Sequence, residues 1–236
     1  MNNSRVRALL FSNSTNLGSL YLAHAGEAIL TFLGGIKSVF FVPFALKNHD
    51  AYTDKARTRF KEMDIELTSA HESRGINGDY AIFVGGGNTF RLLAELRRRD
   101  LLTSIVRNVQ EAGVPYIGAS AGTNLACPSI MTTNDMPILN PGPFDALNFI
   151  SYQINPHYPE PGVLHVDSGE TREDRIKEYH EENNTPVIGL REGSWIELEN
   201  GVSRLRGPKN AHVFMPGITF QISAGSEIER NFKSIP

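Results

Sequence analysis

The chain has 236 residues, 40% of them hydrophobic and 21% charged, with a formal net charge of −3. That length suits one large α/β domain with a sizeable core, and that composition excludes disorder of the body of the chain. The weakly acidic balance lacks the basic footprint of a nucleic-acid binder, and the single cysteine, Cys127, excludes an intrachain disulfide.

The first residues, MNNSRVRALLFSNS, hold too short an apolar run for a signal peptide and read as a strand over 7–11. Apolar residues at helical spacing follow over 20–32, then a Val- and Phe-rich strand over 38–44 and a polar helix over 52–63. Residues 80–84 form a strand that ends in Gly85-Gly86-Gly87. Helices over 90–99 and 101–112 lead to a short buried strand over 114–117. Another buried strand is expected over 186–190. Short strands with Gly- and Asn-bearing turns follow over 195–199, 203–205, 212–214 and 218–222.

The alternation predicts an α/β fold: a mostly parallel sheet with helices on both faces, and an antiparallel C-terminal extension packed on it. No repeat, low-complexity segment or linker divides the sequence, so residues 1–236 read as a single domain. No apolar stretch reaches the ~20 residues of a membrane span. A cytoplasmic location, with no membrane or nucleic-acid partner, is expected.

In open α/β sheets, ligands gather outside the C-terminal ends of the strands. Gly118-Ala119-Ser120-Ala121-Gly122 sits at such an end and fits G-x-S-x-G in a strand–turn–helix context. Small residues two positions either side let strand and helix approach, and a tight turn exposes the Ser120 hydroxyl. The Ala121 N–H would then face a developing oxyanion. The bland alternative is a close-packed or phosphate-binding Gly turn. Gly85 to Asn88 also joins a strand to a helix. Gly86 or Gly87 would supply a second oxyanion donor, with Asn88 helping to hold substrate. Alternatively, Asn88 is simply the helix cap.

A nucleophilic serine needs a base oriented by an acid. Of seven histidines, His157 stands at the end of a short strand between Pro156 and Pro159, which would stiffen its loop. His165 is the runner-up. Asp135, in a polar loop after the nucleophile helix, and Glu192, just past the strand over 186–190, are both candidate orienters, and position favours Glu192. Cys127 reads as a buried, inert thiol.

Five blocks now line up: IFVGGGNTF over 82–90, GASAGTNLACP over 118–128, TTNDMPI over 132–138, QINPH over 153–157 and GETREDRI over 169–176. Together they resemble peptidase E, the α-aspartyl dipeptidase family, over most of the chain. The resemblance implies a flavodoxin-like sheet similar to class I glutamine amidotransferases, and metal-free hydrolysis of Asp-Xaa dipeptides. It implies Ser120 as nucleophile, His157 as base, and either Asp135 or Glu192 as the acid. Arg191, before Glu192, departs from the proline expected of close relatives. A cation must meet the aspartate side chain, and Arg172 leads Arg175 for that part. The competing reading of these arginines is an exposed helix start capped by Thr171. Small dipeptides are the expected partners, no cofactor is expected, and the chain is expected to be a monomer or homodimer. The competing functions are a hydrolase of β-linked aspartyl polymers and a nucleotide-binding flavodoxin-like protein. Loops over 141–147 and 158–169 are candidate lids.

Overall fold

The computed structural model describes residues 5–73, 75, 78–160 and 169–232. Five parallel strands form its centre: β1 (Ala8–Phe11), β2 (Ser38–Val42), β3 (Glu66–Ser69), β4 (Ala81–Val84) and β5 (Tyr116–Ala119). They run in the order β3-β2-β4-β5-β1. β1, β4 and β5 are buried along their whole length, as unbroken apolar strands covered on both faces should be. The next pair, β6 (Gln153–Tyr158) and β7 (Val187–Arg191), is parallel but leaves this sheet. β8 (Trp195–Glu199) and β9 (Val202–Arg206) return to it, with β8 antiparallel to β1. β10 (Ala211–Met215) and β11 (Ile218–Ile222) complete a second sheet in the order β11-β10-β7-β6.

Alternation along each central strand divides the core in two. Phe83 and Ala81 face the helices α1 (Gly26–Leu33) and α2 (His49–Glu62), meeting Ile29, Ala56 and Phe60. Ile82 and Val84 face the other way, toward α3 (Thr89–Arg98), α4 (Leu101–Gln110) and α5 (Ala121–Ala126), meeting Leu92, Leu93, Ile105 and Leu125. α6 (Arg172–Glu182) buries Ile176 against Val187, Tyr158 and Phe214 of the second sheet. α7 (Ile228–Phe232) adds Ile228 to the larger core. No helix among the described residues is long and apolar enough to cross a membrane.

Two expectations need correction, and one strand was not expected. The helix expected over 20–32 begins only at Gly26, because Leu22 takes a left-handed φ of 52° and Leu17 and Leu20 point to solvent. β3 carried no strand signal, being an edge strand with the polar sequence ELTS. The strand over 186–190 belongs to the second sheet, and of the C-terminal strands only β8 and β9 extend the first.

Candidate active site

β5 delivers the chain to Ser120, whose φ of 52° and ψ of −106° make a sharp turn before α5. Two glycines permit it. A Cβ on Gly118 would lie 2.6 Å from the Gly122 carbonyl oxygen, and one on Gly122 would collide with the Val84 carbonyl. The turn is pinned to β1: the Ser120 N–H donates to the Phe11 carbonyl at 3.1 Å, and the Thr123 hydroxyl donates to the same oxygen at 2.7 Å.

His157 arrives from the second sheet. The β6–β7 register shifts between Asn155 and Tyr158, and His157 has a φ of 54°. Such a bulge re-aims a side chain. Its N–H donates to Ser12 Oγ at 2.9 Å, and Ser12 Oγ donates to the Leu190 carbonyl at 2.8 Å. Ser12 is fully buried at the end of β1, so one hydroxyl ties both β6 and β7 to the large sheet. Asn134 holds the Pro156 carbonyl at 2.7 Å, and Asn124 holds that of Ile154 at 2.8 Å.

These supports bring three sequence candidates together. Ser120 Oγ lies 2.8 Å from His157 Nε2, and His157 Nδ1 lies 2.6 Å from Glu192 Oε1. With the ring proton on Nδ1, Glu192 accepts from the imidazole and Nε2 accepts from the serine hydroxyl. Glu192 directly follows β7. Gly193 after it takes a φ of 83°, and its N–H donates to Asn13 Oδ1 at 2.9 Å.

Asp135 is placed elsewhere. Its Oδ2 accepts from the Thr89 N–H at 2.7 Å, the Thr89 hydroxyl at 2.6 Å and the Thr133 hydroxyl at 3.1 Å. A carboxylate at the start of α3 satisfies a free N–H and suits the helix dipole. Asn88 is the cap of that helix: its Oδ1 accepts from the Arg91 N–H at 3.0 Å, and its Nδ2 donates to the Met136 carbonyl at 2.9 Å. Both polar ends of Asn88 are thereby occupied. Gly86 packs against the nucleophile turn, where a Cβ would sit 3.1 Å from Ser120 Cβ. Gly87, with a φ of 135°, leaves room for the Ala45 carbonyl, which a Cβ would approach to 2.7 Å.

A cavity of about 760 Å³ opens beside the serine. Gly86, Gly87, Ser120, Asp135 and His157 line it, as do Tyr52, Tyr21 and Lys55 of the α1–α2 side. Burial pushes the Tyr52 phenol pKa up, while the Tyr21 hydroxyl and the Gly86 backbone oppose the shift.

Thr171 does cap α6, in a reciprocal box with Asp174, and Arg175 pairs with Glu170 at 3.0 Å. Arg172 is half-buried, and its Nη1 has no hydrogen-bond partner among the described residues. Burial and the neighbouring Arg175 lower its pKa, and the Asp135 carboxylate opposes them. Arg191 turns away from the imidazole: it is buried, and its Nη1 donates to the Asn210 carbonyl at 2.9 Å. Cys127 is buried, and burial lifts its thiol to about 12. His165, and residues 161–168 of the second candidate lid, lie outside the described residues. The other candidate lid is clamped, because Arg97 donates to the carbonyls of Pro141, Pro143 and Asp145. Ser12 and Tyr52 are the residues sequence reasoning missed. Ser12, one residue beyond β1, fell within reach of the strand-end rule.

Comparison with known proteins places the chain in a family. A model of Peptidase family S51 matches residues 8–206. Peptidase E of Streptomyces coelicolor is 45% identical over 227 residues, covering 93% of this chain and 92% of that protein. Peptidase E of Nostoc is 43% identical over 219 residues, covering 89% and 90%. A solved peptidase from an acI-B1 actinobacterium superposes with a TM-score of 0.68 at 14% identity, covering 94% of this chain and 96% of that one. That likeness concerns the fold alone.

Proposed function

The chain belongs to peptidase family S51, and from that premise we propose that it is a serine dipeptidase acting on Asp-Xaa dipeptides through an aspartyl-enzyme ester. The observation that carries the reading is the unbroken hydrogen-bond chain from Ser120 through His157 to Glu192, with Ser120 and His157 on the wall of a cavity of about 760 Å³.

Ser120 Oγ attacks the carbonyl carbon of the N-terminal aspartyl residue while His157 Nε2 takes the hydroxyl proton. Glu192 holds the imidazole in the required tautomer and stabilises the imidazolium. The N–H groups of Ala121 and of Gly86 or Gly87 receive the oxyanion. Losing one such donor costs on the order of 3–4 kcal/mol of transition-state stabilisation. As the tetrahedral intermediate collapses, the C–N bond breaks and His157 returns the proton to the leaving amine. Water, deprotonated by His157, then attacks the ester, and Ser120 departs with the proton restored.

Asp135, on the cavity wall, receives the substrate's free ammonium. Arg172, half-buried near Asp135 with an unpartnered Nη1, receives the aspartate side chain. The reading treats residues 1–236 as one cytoplasmic peptidase domain. It takes the parallel core as flavodoxin-like, akin to class I glutamine amidotransferases, supported by five parallel strands with helices on both faces.

The test is hydrolysis of an aspartyl chromogenic amide by the wild type and by Ser120→Ala, with the N-acetylated amide as control. Cleavage that needs both Ser120 and the free amine is the expected result. Cleavage that survives Ser120→Ala, or none by the folded wild type, would overturn the reading.

A further inference from the structure

The cavity beside Ser120 is electrically lopsided. Its lining carries one carboxylate, Asp135, and two ammonium groups, Lys47 and Lys55. These charges come from opposite faces of the parallel sheet. Asp135 is bonded to Thr89 at the start of α3, whose Leu92 and Leu93 belong to the larger core. Lys55 rides on α2, whose Ala56 and Phe60 belong to the other core. Ser120, at the end of the central strand β5, lies between the two sides.

The wall on the lysine side is continuous. Gly86 abuts Ser120, and a Cβ on the adjacent Gly85 would collide with the Tyr52 hydroxyl. The Tyr21 hydroxyl donates to that of Tyr52 at 3.4 Å, and Lys55 Nζ lies 4.6 Å from the Tyr21 ring centroid. A cation held on an aromatic face keeps its charge available on the open side. Neither Lys47 nor Lys55 forms an ion pair among the described residues, although thirteen other lysine or arginine pairs with carboxylates occur there. The neutral neighbours Asn48, Ser14 and Thr15 add hydrogen-bonding groups and no competing acid.

We propose that Lys55, assisted by Lys47, binds the free carboxylate of the residue that leaves, and so restricts the enzyme to short substrates. The proposal rests on the aspartyl dipeptidase reading and adds its leaving-group subsite. A dipeptide is itself lopsided in the matching sense, with an ammonium at one end and a carboxylate at the other. Seated with its ammonium at Asp135, it presents its carboxylate to the α2 side. A further residue would carry that carboxylate roughly 3.5 Å onward, and a C-terminal amide would remove its charge.

The experiment compares kcat/KM for aspartyl-alanine with that for aspartyl-alanine amide, in the wild type and in Lys47→Met/Lys55→Met. Methionine keeps the apolar stem of each lysine, and both positions are exposed, so folding is preserved; circular dichroism checks it. The ratio is internal to each enzyme, so general damage cancels. The wild type is expected to favour the free carboxylate by about tenfold or more, mainly through KM, and the double variant to bring the ratio near one. Lys55→Arg should restore part of the preference. A wild type that takes both substrates equally, or a double variant that keeps the wild-type ratio, would overturn the lysine subsite and leave the aspartyl reading standing. No turnover of either substrate by the wild type would remove that reading and the subsite with it.

Discussion

Ser120 and His157 both adopt a left-handed backbone, with φ of 52° and 54°, and their side chains meet at 2.8 Å. Neither is a glycine, and a residue held so costs on the order of 1–3 kcal/mol. One strained residue stands at a strand–helix turn of the large sheet, the other at a bulge of the small one. The surrounding bonds from Phe11, Thr123 and Ser12 hold both in place.

Replacing Ser120 separates chemistry from strain. Ser120→Ala should lower kcat/KM by roughly 10⁴–10⁶-fold while keeping the unfavourable φ. Ser120→Gly should be as inactive yet more stable than Ser120→Ala by about 1 kcal/mol, because glycine accepts positive φ. Chemical denaturation of the two variants checks the order.

The two candidate acids should respond differently. Glu192→Gln takes the acceptor charge from His157 Nδ1 and should cut kcat by roughly 10³–10⁴-fold with little change in thermal midpoint. Asp135→Asn removes a charge from the start of α3 and should raise KM and cost about 1 kcal/mol of stability. Steady-state kinetics with melting curves tells them apart. An equal loss of kcat in both would contradict the assignment of Glu192 as the orienting acid.

Ser12→Ala leaves the part-buried His157 N–H without its acceptor, which should cost about 1 kcal/mol. Because that N–H fixes the bulge, kcat should fall while KM holds. Ser12→Thr, which keeps the hydroxyl, should recover part of kcat. A variant with lowered stability and unchanged kcat would confine Ser12 to a packing role.

Acid should destabilise the fold through its sheltered histidines. Burial lowers the pKa of His24 below 6.5, against opposing effects of the Asn13 backbone and Glu192, and burial lowers those of His49 and His212 as well. As pH falls, the unfolded chain takes up these protons first, so stability present above about pH 6.5 declines below it. Both ring nitrogens of His24 are buried without partners among the described residues. His24→Phe should therefore flatten the fall in stability between about pH 7 and 5.5, measured by urea unfolding.

Much of this was legible in the sequence, for physical reasons. The elbow around Ser120 declares itself because only small residues fit at 118 and 122. The strands β4 and β5 are continuous apolar runs because they are covered on both faces. Glu192 was favoured by strand-end reasoning, and it is the carboxylate that lies on His157. Asp135 stood level with it by family resemblance, and nothing local could say that its oxygens would be taken by Thr89 and Thr133. The split into two sheets was hidden, since strand patterning is the same whichever sheet a strand joins. Exposed Leu17 and Leu20 imitated a helical stripe. Tyr52 and Lys55 reach the cavity from a helix that reads as an ordinary polar surface helix.

The division of the site between two sheets bears on when the molecule first becomes active. A chain synthesised as far as α5 contains all five parallel strands and the serine that follows them. The histidine lies 37 residues further on, and the glutamate another 35. On the roles proposed, a partly synthesised chain carries a nucleophile with nothing to deprotonate it. A chain that stops short of Glu192 therefore holds the serine without its complete proton relay.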